Sequence, residues 1–131
     1  VEGFAAISYL RSHADRYHID SDYIGVKGFS AGGHFAASLA AFYEKKEYAD
    51  YLGVPLKNLK INGVLLGYPV ITMGEFTHKE TSEQLLTNNI EKKDEYSIEK
   101  QITPSYLPHF YGLQTMTRLL TQSIRFCLQT L

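Results

Sequence analysis

Between Tyr23 and Tyr43 the sequence passes from an apolar run (Tyr23 to Val26) through Gly28-Phe-Ser-Ala-Gly-Gly-His34 into a stretch holding Ala36, Ala37, Leu39, Ala40 and Ala41. Few chain paths accommodate that order. The apolar run reads as a strand of about 23–27, the alanines as the small, close-packing face of a helix reaching about Tyr43, and the glycines between them as a sharp turn. Asp20-Ser21-Asp22 sets a turn just ahead of the strand.

The flanking chain extends this strand, turn and helix into a layered pattern. Phe4, Ile7, Leu10, Ala14 and Tyr17 recur at helical spacing over residues 2–17, with Arg11, Asp15 and Arg16 elsewhere on the wheel, predicting an amphipathic helix that covers a sheet. A polar stretch from Glu44 to Lys60 contains Gly53-Val54-Pro55, and Ile61 to Tyr68 is then apolar at nearly every position. Such a run suits a parallel strand buried on both faces. Helix, strand, helix, strand is the order of an α/β fold with a parallel sheet flanked by helices. After Pro69 the chain turns polar, with a helical pattern around Ser82 to Leu86 and a charged run at 91–95. Residues 71–105 read either as a cap or insertion over the strand ends, where open α/β sheets bind ligands, or as a solvated surface excursion.

The turn carries the chemistry. Gly28 and Gly32, two residues before and after Ser30, are expected to be glycine because side chains there would collide with neighbouring chain in a G-x-S-x-G turn, with Gly33 completing the structural elbow. Ser30 is then an exposed nucleophile at a helix N-terminus, and the Ala31 N–H points to where an oxyanion would form. Acyl transfer is the reaction such a turn serves. His34, one turn into the helix, is expected to pack or cap, since a general base reaches a serine from a separate loop. A surface or substrate-contact role is expected of His78, and Asp50 and Asp94 fall in solvated, charged stretches.

Composition narrows the partners. Thirteen Lys and Arg oppose fourteen Asp and Glu in 131 residues, giving a net charge of −1 with the signs interspersed. That excludes a basic footprint for nucleic acid or a membrane surface and leaves a small, neutral molecule as the expected partner. The apolar runs fall short of a bilayer span. Cys127 is the only cysteine, so there is no intramolecular disulfide and no metal-binding cluster; no metal or other cofactor is expected, and a reducing, cytoplasmic compartment fits. The first residue is Val rather than Met, which leaves an upstream targeting segment open.

With Gly28-Phe-Ser-Ala-Gly-Gly-His34-Phe-Ala-Ala37, the sequence resembles the α/β-hydrolase superfamily, in particular its small bacterial esterase/lipase and acetyl-xylan-esterase-like branch. Gly67-Tyr-Pro-Val70 is similar to the strand end after the nucleophile helix, His78 through Leu86 to the cap, and Ser97-Ile-Glu-Lys-Gln-Ile-Thr-Pro104 to the run toward the acid-bearing strand. The resemblance implies residues 1–108 as the central part of such a domain, Ser30 as nucleophile, Ala31 as an oxyanion-hole amide and a short-chain acyl or acetyl ester as substrate. It also implies a triad in the order Ser, Asp or Glu, His, and an upstream HGG-type loop giving a second oxyanion amide. The sequence has no such loop, and no triad Asp or His is identifiable. Oligomeric state is not legible.

Residues 109–131 depart from the resemblance where an acid-bearing strand is expected. Back-translating His109 to Arg118 with permitted codons, from the third base of the Pro108 codon, can yield Thr-Phe-Leu-Trp-Ser-Thr-Asp-Asp-Asp-Glu. Met116 followed by Thr117 forces an Asp in that frame. A frameshift is therefore expected in the coding sequence, leaving Thr115 to Leu131 unselected for packing. Two further readings stand beside the esterase: a catalytically inactive remnant, and a non-catalytic module that binds an anion at the helix N-terminus.

Overall fold

The structure, a computed structural model, describes residues 1–75, 77–87 and 89–102, and the backbone of 110–113. Three strands, β1 (Gly25–Phe29), β2 (Gly63–Gly67) and β3 (Phe110–Leu113), form one sheet in the order β1-β2-β3. Both pairings are parallel, with Val26 opposite Val64 and Leu65 opposite Tyr111. Helix α3 (Ser30–Phe42) crosses from β1 to β2. The expected parallel sheet with flanking helices is what forms.

Alanines make α3 fit. Ala36, Ala37, Leu39 and Ala40 are buried against Val64 and Leu66 in one core with Phe4, Ile7, Leu59 and Ile61. Small side chains let the helix approach the strands closely, and burial of these groups supplies the main stabilisation of the layer.

The first helix differs from its periodicity. It runs as α1 (Glu2–Ser12), breaks at His13 (φ −120°) and resumes as the single turn α2 (Ala14–Tyr17). Phe4, Ile7 and Ala14 face inward as expected, but Leu10 and Tyr17 are exposed by 37% and 44%: Phe4, Ile7 and Arg11, spaced i, i+3, i+7, share one face of α1 with Leu10 to its side, and Tyr17 follows the break at His13. Arg11 takes the inner position instead. Its guanidinium donates to the carbonyls of Ser21 (2.9 Å), Asn58 (2.6 Å) and Lys60 (2.8 Å) and to Asn62 Oδ1 (3.3 Å). One side chain thus ties α1 to the loop before β1 and the chain leading into β2.

The polar stretch 44–60 is also more ordered than its composition suggests. It holds α4 (Lys46–Leu52), closed by Gly53 at φ 65° with Val54 N–H donating to the Ala49 carbonyl, and a 3-10 turn at Leu56–Leu59. The left-handed cap is one that glycine adopts readily. Tyr48 packs on Phe4 with ring centroids 5.0 Å apart and the rings tilted by 38°, and Ala49 is buried in the core, so α4 is held by tertiary contacts rather than by a continuous apolar stripe.

Burial of β2 on both faces is not observed. Val64 and Leu66 are buried beneath α3, whereas Leu65 on the opposite face is 36% exposed beside exposed Lys27 and Phe29 of β1. The crossover β1–α3–β2 places α3 on one face, α1 packs beside α3, and none of the described helices covers the other face.

Beyond β2, residues 71–102 form α5 (Lys79–Leu86), α6 (Lys93–Tyr96) and two 3-10 turns, at Ile90–Lys92 and Ile98–Lys100. Val70, Met73 and Leu86 build a small second core against Tyr96. Ile98 N–H donates to the Ile71 carbonyl (3.0 Å), and Met73 N–H to Ser97 Oγ (3.1 Å). Among the described residues no helix is long and apolar enough to cross a membrane.

Candidate functional site

Extended backbone continues through Phe29 (φ −126°, ψ 146°) and reverses at Ser30, the first residue of α3, whose φ of 51° lies in the left-handed region. A serine there is strained by about 1–3 kcal/mol, and such strain persists only when neighbouring groups over-determine it. Gly28 is the first of these. A Cβ on it would lie 2.1 Å from the Gly32 carbonyl oxygen and 2.8 Å from the Gly33 nitrogen, so the chain returns onto itself only because Gly28 has no side chain.

The steric requirement expected at Gly32 is absent. Among the described residues, a Cβ at Gly32 meets no atom within 4 Å beyond its own helical turn, because its α-carbon faces outward on the exposed first turn of α3. The second obligatory glycine is Gly33, where a Cβ would lie 2.7 Å from Pro69 Cβ and 2.9 Å from Pro69 Cα. Sequence spacing located the right turn and misassigned one of its contacts, since the clash comes from the loop after β2 and not from the motif itself.

That loop closes the elbow from the side. Val70 N–H donates to the Ser30 carbonyl (3.1 Å), and His34 Nδ1 bonds the Val70 carbonyl (3.1 Å). A carbonyl only accepts, so the ring carries its proton on Nδ1. His34 is 4% exposed, and burial is the main cause that lowers its pKa below the ordinary value, against smaller upward pulls from the Val70 hydrogen bond and the Glu99 charge. Glu99 Oε2 is itself buried with no hydrogen-bond partner among the described residues. Tyr68, at φ 35°, sets its ring 5.8 Å from that of Phe29 beside the turn.

Ser30 and Ala31 are exposed, and among the described residues Ser30 Oγ makes no hydrogen bond. His34 is engaged with Val70, and His78 Nδ1 with Thr81 Oγ1 (3.1 Å). Asp94 pairs with Lys100, and Asp50 is exposed on α4. The described residues bring together Gly28, Ser30, Ala31, Gly33, His34 and Val70, and they supply no base or acid to the serine. They also contain no group of three or more His, Cys, Asp or Glu able to hold a metal. His109, the expected frame change and the tail to Leu131 lie outside the described residues apart from the 110–113 backbone. Val70 is the site residue that sequence reasoning missed; its signal was Pro69-Val70 directly after an apolar strand.

Comparison with known proteins gives this geometry its relatives. Over 112 residues the chain is 38% identical to endo-1,4-beta-xylanase B of Butyrivibrio fibrisolvens, covering 80% of this chain and 17% of that protein. The acetyl ester-xyloside bifunctional hydrolase from Caldicellulosiruptor lactoaceticus superposes with a TM-score of 0.67 at 29% identity, over 82% of this chain and 40% of that one. A lipase/esterase from Lactobacillus plantarum shares the fold, with a TM-score of 0.69 at 23% identity over 96% of this chain and 51% of that one. The chain thus spans well under two thirds of each of these relatives. The BD-FAE family profile matches residues 4–117, most of the sequence, and the chain belongs to the BD-FAE family of the α/β-hydrolase superfamily.

Proposed function

We propose that this chain carries the nucleophile half of a serine carboxylesterase site. The observation that supports this best is Ser30 held at φ 51° between β1 and α3, exposed, with Gly28 leaving room for the turn. In this reading Ser30 Oγ attacks the ester carbonyl while its proton passes to a base. The Oγ–C bond forms as the carbonyl π pair moves to oxygen, where the Ala31 N–H donates to the oxyanion. Collapse expels the alcohol, which takes up the proton. Water then releases the carboxylic acid and restores the Ser30 hydroxyl.

The base and its acid partner come from outside the described residues. Acetyl or other short-chain acyl esters on a sugar are the proposed substrates. The similarity to an acetyl ester-xyloside hydrolase supports that class. Residues 71–102, docked after β2, would act as the cap. No cofactor enters the scheme.

A fluorophosphonate probe tests the nucleophile directly. Labelling that disappears in Ser30→Ala, together with hydrolysis of p-nitrophenyl acetate, is the expected result. A folded chain that neither labels nor hydrolyses would instead favour the inactive remnant. Phosphate binding that survives Ser30→Ala would favour the anion-binding module.

A further inference from the structure

His34 is a buried, titratable side chain that the proposed reaction does not use. It lies on α3 one turn beyond Ser30, and its ring reaches across to the loop after β2 rather than toward the serine hydroxyl. Val70 is held there by both of its peptide groups: its N–H bonds the Ser30 carbonyl and its C=O receives His34 Nδ1–H, each at 3.1 Å. Pro69, immediately before it, rests on Gly33 with no room for a Cβ between them.

We propose that His34 is a positioning residue for Ser30, acting through Val70: the ring fixes the Val70 carbonyl, which holds the Val70 backbone in place, and the Val70 N–H on the preceding peptide fixes the strained Ser30 backbone. The functional consequence rests on the esterase reading; the clasp itself does not. A left-handed serine relaxes toward ordinary φ values unless something outside its own turn opposes it. The Val70 N–H does so only while the loop after β2 stays in place, and His34 is the side chain that pins that loop to α3. Burial holds the ring neutral against the pull of Glu99, so it has a single proton, and the Val70 carbonyl requires that proton on Nδ1. This is the less common tautomer of free histidine, which makes the arrangement measurable.

Nitrogen-15 NMR of the unmodified chain at neutral pH should find the His34 proton on Nδ1; a proton on Nε2 would overturn the proposal. His34→Leu removes the donor and keeps an apolar side chain. It should speed hydrogen exchange at Val70 N–H and slow fluorophosphonate labelling of Ser30 by at least about tenfold, the scale on which a small misplacement of a nucleophile acts. His34→Asn places an amide donor near the former Nδ1 and should restore both toward the unmodified values. A folded His34→Leu chain with Val70 still protected, or labelling at the unmodified rate, would sink the idea. Should His34→Leu fail to fold, the tautomer and the Asn variant decide: an Asn variant that folds yet leaves Val70 unprotected counts against the clasp. If the unmodified chain does not label at all, the esterase reading fails, while the tautomer and Val70 exchange still judge the clasp.

Discussion

Gly28 and Gly32 face each other so closely across the elbow that the absent Cβ of Gly28 would stand 2.1 Å from the carbonyl oxygen of Gly32. The relationship is one-sided, because among the described residues a Cβ on Gly32 meets no atom within 4 Å beyond its own helical turn. Two glycines at symmetric positions in the motif therefore respond differently to the same substitution. Gly28→Ala should cost at least about 3 kcal/mol, since backbone and not a flexible side chain has to yield. Gly32→Ala should leave stability unchanged or raise it by up to about 1 kcal/mol, the helix-propensity difference between the two residues. Urea unfolding of both variants checks the pair, and equal losses would contradict this account of the turn.

Arg11 is the counterpart of that elbow on the side where the strands begin. Its four donor contacts join three segments, and a lysine ammonium cannot reproduce a planar fork that reaches separate carbonyls. Arg11→Lys should lower stability by about 2–3 kcal/mol, the scale of hydrogen bonds made by a charged group. Fluorophosphonate labelling of the folded variant should not change, because Arg11 contacts none of the elbow residues. The midpoint of urea denaturation, read beside the labelling rate, separates the two effects.

Acid should weaken the fold through His34. The folded pKa is depressed below the ordinary value of 6.5, chiefly by burial, so between those two values the unfolded chain binds more protons than the folded one. Stability therefore falls as pH drops from about 6.5 toward the folded pKa, and this contribution levels off below it. His34→Asn, which does not titrate, should flatten that part of the profile. Urea midpoints collected between neutral pH and the onset of acid unfolding measure it; identical slopes in the two chains would exclude His34 as the source.

The coding sequence supplies an independent test of the tail. Reading from the third base of the Pro108 codon should recover a segment with aromatic residues followed by acidic ones, including the Asp forced by Met116 and Thr117. Sequencing the genomic DNA across residues 100–131 decides this. A single intact frame with no such alternative would remove the frameshift.

How much was legible follows from the range of each interaction. The strand, elbow and helix around Ser30 are local, encoded by Gly28 and by the alanines of α3; the helix stands where the spacing put it, whereas β1 (Gly25–Phe29) lies two residues later than 23–27, leaving Tyr23 exposed ahead of it. The parallel order of β1 and β2 follows from the same alternation. Arg11 shares the face of Phe4 and Ile7, yet its charge reads as outward-facing because the carbonyls of Ser21, Asn58 and Lys60 that receive it arrive from segments distant in sequence. α4 is not legible as an apolar stripe because only Ala49 is buried along it, with Tyr48 and Leu52 packed partly buried against the core. Val70 and Pro69 became site residues only through their approach to His34 and Gly33, some 36 positions away in sequence. Gly32 shows the reverse error, a motif position credited with a contact that tertiary packing assigns to Gly33.

The sheet face bearing Lys27, Phe29 and Leu65 changes how one routine measurement should be interpreted. A fluorescent hydrophobic dye ordinarily reports loosened packing when it lights up on a protein. Among the described residues the native layer itself offers an apolar strip with the Lys27 ammonium over the Phe29 ring, a suitable seat for an anionic aromatic dye. Dye emission from a chain that keeps its cooperative unfolding transition would register this surface, not a partly melted core.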